Sequence, residues 1–292
     1  MLRSLYSGVS GMKNLQNELD VVANNIANVN TIGFKSSRVN FQDIMSQNMR
    51  PAAAGNNAAG GLGGTNPMQI GLGVTTASVD TMMGNGAQQT TGNGLDVYLD
   101  GPGFLVMQDT SGSQMYTRAG SLQVDANGYL VNNSGVKVMG AANTTASDTV
   151  NTVPTLTTLT SIKIPATATV KGATVNATGT PEIGADGVIT QSYGGTKIAV
   201  GRIAVANFTN PNGLAKAGGT NFTASPNSGD PVISNAAASG VAVVRSGALE
   251  MSNVDLSTEF TNMIVASRAY QANAKSITTS DEILQTLISL KQ

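Results

Sequence analysis

The sequence of residues 2–29 is LRSLYSGVSGMKNLQNELDVVANNIANV, and apolar side chains recur in it every seven residues. One row consists of Leu5, Met12, Leu19 and Ile26, and a second consists of Leu15, Val22 and Val29. A sustained seven-residue repeat keeps one stripe of a helix facing a partner helix. The stretch therefore predicts a long amphipathic helix that packs against another helix.

A matching repeat lies at the other end of the chain, in residues 256–290. Its main row is Leu256, Met263, Tyr270, Ile277 and Leu284, with Phe260, Ala266, Ala274, Leu287 and Ile288 beside it. Asp255 precedes the row as a good N-cap, and Glu259 lies in the first turn. A second long helix is predicted here, without Gly or Pro in its interior.

Two features of the first repeat need an explanation. Gly8 and Gly11 lie inside it, where each costs about 0.5–1 kcal/mol relative to alanine. They mark either a frayed first turn or a close contact with another helix. Four asparagines, Asn24, Asn25, Asn28 and Asn30, crowd its end, and asparagine favours caps and turns over helix interiors. Gly33 is predicted to complete the stop.

The sequence between the two repeats is of β type. Apolar runs of about four residues follow one another from Leu95 to Met139, separated by Ser111-Gly112, Asn127-Gly128 and Ser134-Gly135. Asn-Gly between short apolar runs is a strong hairpin signal, and such regular spacing is typical of an antiparallel sandwich or barrel. We therefore predict an α + β protein, in which the terminal α-helices form a coiled coil and the centre is antiparallel all-β.

This pattern predicts four parts. Residues 1–32 and 255–292 form a paired-helix domain, and 33–73 form a connector arm, since 51–73 are rich in Ala, Gly and Asn. Residues 74–140 and 200–254 form a β domain. Residues 141–199 have few large apolar side chains and form a small variable β insertion or outer domain, with strands expected at 161–164, 187–190 and 197–200.

Composition excludes most chemistry. The 292 residues include no Cys, His or Trp, so thiolate sites are absent, and the side chain best suited to proton transfer near neutral pH is missing. An enzyme would depend on Asp, Glu, Lys, Ser or Tyr, with Asp96 and Asp100 as candidates. We find no catalytic constellation, and we predict no cofactor and no metal site.

Charge and hydropathy exclude two classes of partner. Charged residues make up 11% of the chain and its net charge is −1, without the basic stripe of a nucleic-acid binder. No run of 18 apolar residues is present, so membrane insertion is not expected. The start, MLRSLYSGVSGMKN, lacks the pattern of a secretory signal. Self-assembly is favoured, and a surface adhesin with coiled-coil ends is the rival class.

Two long motifs at opposite ends carry a family resemblance. Residues 23–35, ANNIANVNTIGFK, resemble the amino-terminal signature of the bacterial flagellar rod and hook axial proteins, and residues 246–287 resemble the matching carboxyl signature. The β segments TGNGLDVYLDGPGFLVMQ and MYTRAGSLQVDANGYLV share the likeness, which leaves out only about 141–199. The motif positions singled out are Asn24, Asn25, Asn28, Asn30, Gly33, Phe34, Arg268, Gln271 and Asn273.

The resemblance implies a structural protein and not an enzyme. The rows named above, from Leu5 to Val29 and from Leu256 to Leu287, would form the inner tube of a helical polymer. Within the family the likeness is closer to the hook, a curved, flexible tube that acts as a universal joint and transmits torque from rod to filament. The alternative is the distal rod protein, which forms the straight drive shaft.

The implied partners follow from the same resemblance. They are further copies of the chain in a helical homopolymer, the distal rod protein, the hook cap and hook–filament junction proteins, and the hook-length control and flagellar type III export machinery. The implied location is extracellular, in the flagellum, after export without a cleavable signal peptide.

Overall fold

The structure is a computed structural model that describes residues 2–55, 63–143 and 158–290. It divides into two compact units. The helical unit contains Met1–Ala27, Ser37–Thr81 and Asp255–Gln292, and the β unit contains Asn28–Ser36 and Met82–Val254. Parts of the predicted arm (56–62) and of the predicted insertion (144–157) lie outside the described residues.

The helical unit combines the two terminal helices with four strands. Helix α1 spans Leu2–Ala27 and helix α2 spans Leu256–Ser289. Strand β1 (Ser37–Asp43) pairs antiparallel with β4 (Val74–Thr81), and β2 (Gln47–Arg50) pairs antiparallel with β3 (Met68–Ile70). The predicted fold class, terminal helices with an antiparallel β centre, is confirmed.

The helix ends follow the capping signals. The Asp255 carboxylate accepts the Ser257 N–H at 2.9 Å and the Thr258 N–H at 3.4 Å, and these bonds lower the pKa of Asp255. Helix α1 ends at Ala27, two residues before the end of the repeat, so the prediction that Val29 is a helix residue is wrong. The cause is the asparagine-rich turn, in which the Thr31 N–H donates to the Asn28 carbonyl at 3.1 Å.

The β unit consists of short strands joined by tight turns. The strands are β5 (Gln88–Thr90), β6 (Val97–Asp100), β7 (Phe104–Gln108), β8 (Gln114–Thr117), β9 (Leu122–Val124), β10 (Leu130–Asn132), β11 (Lys137–Ala142), β12 (Thr160–Ser161), β13 (Thr167–Val170), β14 (Ala173–Ile183), β15 (Val188–Tyr193), β16 (Thr196–Asn207), β17 (Ala215–Gly218), β18 (Asn221–Thr223), β19 (Val232–Asn235), β20 (Val243–Ser246) and β21 (Ala248–Glu250).

One antiparallel sheet organises the β unit. Its path runs β13-β14-β15-β16-β11-β7-β8-β18-β17, with β9, β10, β12 and β19 attached at its sides. Two further pairs are β20 with β6 and β21 with β5. Strands from the stretch predicted as an insertion pair directly with strands from the stretches on either side of it: β12 pairs with β11, and the start of β15 pairs with the part of β16 after residue 200. The predicted domain boundaries stay a prediction.

The central strands are buried on both faces. Leu105 and Met107 of β7 belong to one hydrophobic cluster, whereas Phe104 and Val106 belong to a second. The second cluster is aromatic, with Tyr116 and Phe208 edge to face at 4.8 Å between ring centroids. Because both faces are covered, these strands are continuously apolar and lack a polar side.

Candidate assembly interface

Helices α1 and α2 run antiparallel and contact each other. Gly8 lies against Ile277 and Gly11 against Asn273, while the amide of Asn25, near the other end of α1, donates to Glu259 near the start of α2. Because both helices rise equally per residue, this register places the part of α2 after about residue 283 beyond the start of α1.

The two glycines bring the helices close together. A methyl group at Gly11 would lie 2.9 Å from Asn273 Nδ2, and one at Gly8 would lie 3.2 Å from Ile277 Cγ1. Both glycines are buried and belong to regular helix. Of the two interpretations that the sequence left open, the structure shows the close helix contact.

Several of the predicted inner-tube residues lie in the seam between the helices. On α1, Val22 is buried and the remaining members of the rows are partly buried, namely Leu5, Met12, Leu15, Leu19 and Ile26. On α2, Ala266 is buried, and Met263, Asn273, Ile277 and Leu284 are partly buried. The spacing of these α2 positions by three, four or seven residues is that of one helix stripe.

Other predicted seam residues lie at the surface of this chain. The exposed fraction is 40% for Leu256, 48% for Phe260, 38% for Tyr270 and 49% for Leu287. Helix α1 covers only one face of α2, so these four side chains do not pack against α1, and their role in the inner tube stays a prediction.

The exposed apolar residues of α2 define an outer face. Its apolar members are Phe260, Ile264 and Val265, of which Ile264 and Val265 are each 62% exposed, and the exposed Arg268 and Gln271 lie on the same side of the helix. Arg268 donates to Gln271 Oε1 at 3.0 Å, so two of the motif residues lie side by side on this face. Contiguous exposed apolar side chains of this kind mark interaction surfaces.

A second exposed apolar surface lies on the hairpin of β2 and β3 and on the short segment between β1 and β2. Met45 is 81% exposed, Met49 is 53% exposed and Met68 is 50% exposed. This hairpin belongs to the stretch that the sequence predicts as a connector arm. Flexible methionine side chains adapt to partners of irregular shape, which suits a contact with another chain.

Asn25 connects three elements of the helical unit. Its side chain is 1% exposed; Nδ2 donates to the Ser37 carbonyl at 2.8 Å and to Glu259 Oε1 at 3.1 Å, and Oδ1 accepts the Ser37 N–H at 3.0 Å. One amide thus joins α1, the start of β1 and α2. Of the predicted motif residues, this one has the clearest structural task.

Asn14 is a similar residue that sequence reasoning missed. It is 8% exposed, its Nδ2 donates to the Val74 carbonyl at 2.7 Å, and its Oδ1 accepts the Thr76 hydroxyl at 2.9 Å. These bonds attach α1 to β4. The only sequence signal for this role of Asn14 was that a polar residue lies among the apolar residues of the repeat.

A buried charged cluster lies in the β unit, and sequence reasoning missed it too. Glu250 accepts Lys35 Nζ at 2.5 Å and Arg118 Nη1 at 3.3 Å, and the three side chains are 0–3% exposed. Gly33, the predicted stop residue, has φ +69° and donates its N–H to the Glu250 carbonyl at 2.8 Å. A methyl group there would lie 2.6 Å from the Ala119 nitrogen, so only glycine fits.

Burial governs the protonation of this cluster. It lowers the pKa of Lys35 and of Arg118, and the charge and hydrogen bonds of Glu250 act in the opposite direction on both. Lys35 also donates to the Gly84 carbonyl at 2.8 Å, and Glu250 also accepts the Gly86 N–H at 2.9 Å. The buried charges are therefore paired with one another and hydrogen-bonded to nearby backbone groups.

The remaining motif residues lie nearer the surface. Asn24 and Asn30 are exposed, and the Asn28 carboxamide oxygen accepts the Thr31 hydroxyl at 3.1 Å. Phe34 is partly buried, with Lys216 Nζ 5.3 Å from its ring centroid. The amino-terminal motif residues thus serve the turn after α1, while Arg268 and Gln271 face outward.

The candidate carboxylates for enzyme chemistry have other partners. Asp96 is 6% exposed and accepts the Thr91 hydroxyl at 2.6 Å, whereas Asp100 forms an ion pair with Arg245 at 2.7 Å. Within the described ranges, no group of three or more Asp or Glu side chains is placed to hold a metal ion. The described helices contain no segment long and apolar enough to span a membrane.

Three family models match the chain. Residues 5–35 match the flagella basal body rod protein, residues 98–191 match the flagellar hook protein FlgE/F/G D1 domain, and residues 245–290 match the flagellar basal body rod FlgEFG protein C-terminal region. The first and last matches cover the two terminal motifs and the helices that carry them.

Curated relatives match over the full length. The chain is 45% identical over 296 aligned positions to the flagellar basal-body rod protein FlgG of Bacillus subtilis, with 100% of both chains covered. It is 34% identical over 292 positions to FlgG of Buchnera aphidicola subsp. Schizaphis graminum (99% and 100% covered). It is 32% identical over 445 positions to the flagellar hook protein FlgE of Borreliella burgdorferi, again with full coverage of both.

Proposed function

Because the chain belongs to the flagellar rod and hook protein family, we propose that it is the distal rod subunit, which polymerises into a straight tube that transmits torque. Members of this family are structural flagellar proteins. The family predicted from the sequence is thereby confirmed, and the choice within it moves from the hook to the alternative.

The choice of the distal rod over the hook rests on chain length and sequence identity together. The alignment with the rod protein at 45% identity has 296 positions, close to the 292 residues of this chain. The hook proteins of Borreliella burgdorferi and Treponema pallidum align with it over 445 and 468 positions. The hook proteins therefore contain large segments for which this chain has no counterpart.

The exposed surfaces of the helical unit support polymerisation. Most of the stability of a protein helix comes from packing of its apolar face, and α1 covers only one stripe of α2. The outer face of α2 and the β2–β3 hairpin leave apolar side chains at the surface that neighbouring copies can bury. When two different surfaces of neighbouring copies contact each other without closing into a ring, the copies form an open helical polymer.

The proposal extends to export and partners. We expect the subunit to leave the cell through the flagellar type III route and to contact the neighbouring axial proteins at the two ends of its polymer. The hook partners expected from the sequence then reduce to the hook protein, as the component that follows a distal rod.

Matched valine variants test the role of the outer face. Val265 on α2 and Val232 on β19 are 62% and 61% exposed, so a carboxylate at either position is accommodated in the monomer. We expect V265D to abolish polymerisation with an unchanged circular dichroism spectrum, because it would bury a charge between neighbouring helices. We expect V232D to polymerise as the unmodified chain does, measured by sedimentation and negative-stain electron microscopy.

The shape of the polymer decides between the two members of the family. Straight tubes from the unmodified chain support the rod, and curved tubes would return the assignment to the hook. Normal tubes from V265D would reject the outer face as an assembly surface.

A further inference from the structure

The chain contains several Asn-Gly pairs, and this dipeptide is chemically labile. The pairs are Asn85-Gly86, Asn93-Gly94, Asn127-Gly128 and Asn212-Gly213. Asparagine is a thermolabile residue, because the backbone nitrogen of the next residue can attack its side-chain carboxamide. Glycine at the next position favours this reaction, since it has no side chain to hinder closure of the ring. On sequence alone, these pairs are expected to react at similar rates.

Solvent exposure does not distinguish the pairs, because the asparagine is exposed in each of them. What differs is the state of the glycine N–H, which must lose its proton before the nitrogen can attack. An N–H that already donates to an acceptor within the protein must first break that hydrogen bond, and this slows the reaction. The hydrogen bonding of the glycine N–H therefore ranks the pairs.

In three of the pairs the glycine N–H is held in a hydrogen bond. The acceptors are Glu250 Oε1 for Gly86 at 2.9 Å, the Asp125 carbonyl for Gly128 at 3.0 Å and the Asn210 carbonyl for Gly213 at 3.2 Å. A methyl group at Gly86 or Gly128 would overlap a backbone carbonyl oxygen, and one at Gly213 would lie 3.0 Å from a backbone carbonyl carbon. Both the hydrogen bonds and the close packing therefore fix these glycines.

The Gly94 N–H is in a different state. It has no acceptor among the residues that the structure describes, and Gly94 is partly exposed. A methyl group on Gly94 would meet only the Pro181 carbonyl oxygen, at an ordinary contact distance of 3.6 Å. Ring closure at this pair therefore breaks no hydrogen bond of the attacking nitrogen, and close packing does not oppose the small movement that it requires.

The Asn93 side chain is held weakly and near this nitrogen. Its Oδ1 accepts the Leu95 N–H and its Nδ2 donates to Asp96 Oδ1, both at 3.4 Å, a length at which hydrogen bonds are weak. The bond to Leu95 turns the carboxamide toward the backbone that follows Asn93, where the Gly94 nitrogen lies.

We propose that Asn93 is a site of spontaneous deamidation in the folded chain and that the fold protects the other three asparagines. The Gly94 nitrogen gives its proton to water and bonds to Asn93 Cγ; Nδ2 takes up a proton from water and leaves as ammonia. Water then opens the cyclic imide at either carbonyl, which leaves aspartate or isoaspartate at position 93. The reaction takes place in the monomer, whether or not the proposed tube forms.

Either product changes the turn between β5 and β6. The Asn93 carbonyl accepts the Asp96 N–H at 3.0 Å, which closes this turn. Isoaspartate lengthens the main chain inside the turn by one carbon. Both products also replace the Nδ2 donor with a carboxylate that faces the Asp96 carboxylate, and two like charges repel each other. Deamidation should therefore lower the melting temperature of the chain.

Peptide mapping of the aged, full-length chain tests the site. The chain is incubated in mildly alkaline buffer, and mass spectrometry with chromatographic separation of isoaspartate measures the rate at each pair. We expect position 93 to react about two- to tenfold faster than the other three, which is the factor that one hydrogen bond contributes. In urea, where the fold is absent, the rates should be similar. A folded chain in which another pair reacts as fast as Asn93 would overturn the proposal.

The variant G94A is the matched control. Alanine fits at this position, and its methyl group hinders ring closure, so the rate at Asn93 should fall at least to that of the protected pairs. The circular dichroism spectrum and the rates at the other pairs should stay unchanged. An unaltered rate at Asn93 would show that the Gly94 nitrogen is not the attacking group.

Thermal melting tests the consequence of the reaction. The unmodified chain should melt at a lower temperature after ageing than before, whereas aged G94A should melt as fresh G94A does. An equal decrease in both chains would contradict the effect assigned to position 93.

Discussion

Asn25 shows how much one buried amide contributes to the helical unit. Its side chain satisfies the N–H and the carbonyl of Ser37 and also reaches Glu259 on α2. A hydrophobic side chain of similar size would leave those backbone groups without partners in a place that water does not reach. The asparagine of the motif is therefore required by hydrogen bonding and not by helix propensity, which disfavours it.

Truncation of Asn25 measures this contribution. We expect N25A to lower the free energy of unfolding by about 2 to 3 kcal/mol, since buried backbone groups lose their partners. N262A, at an exposed position of α2, should change it by less than about 0.5 kcal/mol. Urea denaturation followed by circular dichroism compares the two, and equal effects would contradict the role assigned to Asn25.

Tyr193 connects stability to alkaline pH. Its hydroxyl donates to the Pro165 carbonyl at 2.6 Å, and burial raises its pKa from 10.0 to about 12. The folded chain keeps a proton that the unfolded chain loses, so the stabilisation is complete below pH 10 and is lost as the pH rises toward 12.

Y193F should remove this component of the pH dependence. Between pH 10 and pH 12 the unmodified chain should lose about 2 to 3 kcal/mol more unfolding free energy than Y193F does, as a shift of two pKa units implies. Denaturant titrations at several alkaline pH values provide the measurement. Parallel pH profiles for the two chains would show that Tyr193 does not titrate with unfolding.

At the scale of elements, the contact between α1 and α2 depends on the absence of a side chain at Gly11. The helix propensity of glycine alone would favour replacement, because glycine costs about 0.8–1 kcal/mol relative to alanine in a helix. The seam overrides this preference, since Asn273 occupies the space where the side chain would lie.

A bulky residue at Gly11 should separate the helices. We expect G11L to lower the melting temperature of the helical signal, although leucine is the better helix former. Q16L places the same side chain at an exposed position of α1 and should leave the melting temperature nearly unchanged. A G11L chain as stable as Q16L would contradict the close contact.

The elements also show what the sequence can predict. The seven-residue rows locate both helices, and Asn127-Gly128 locates a hairpin between β9 and β10, where Gly128 has φ +85°. The rows do not reveal which apolar residues face α1 and which face neighbours, because Met263 and Phe260 are equally apolar. That distinction depends on where a single partner helix lies.

Other features could not be predicted because they join distant positions. Strand β14 (Ala173–Ile183) is rich in Ala and Thr and has only two large apolar side chains, Val175 and Ile183, so its sequence is a weak strand signal and its pairing with β15 stabilises it. Lys35, Arg118 and Glu250 meet only in the folded chain. The one local signal was a charged residue between apolar neighbours, as in Leu249-Glu250-Met251.

At the scale of the whole molecule, the two ends of the chain form one helix pair whose outer face is uncovered. The last turns of α2 extend beyond α1, and Ile288 and Leu290 there are 66% and 81% exposed. Exposed apolar surface of this kind marks a site of interaction with another molecule. In the proposed polymer, the helix pair of the monomer and the contact with neighbouring copies use different faces of α2.

Electron cryo-microscopy of the polymerised, unmodified chain tests this account most directly. We expect a straight tube in which Phe260, Ile264 and Val265 of each α2 are buried against helices of neighbouring copies. A curved tube would contradict the rod assignment. A tube in which these three side chains remain in contact with solvent would contradict the assembly surface itself.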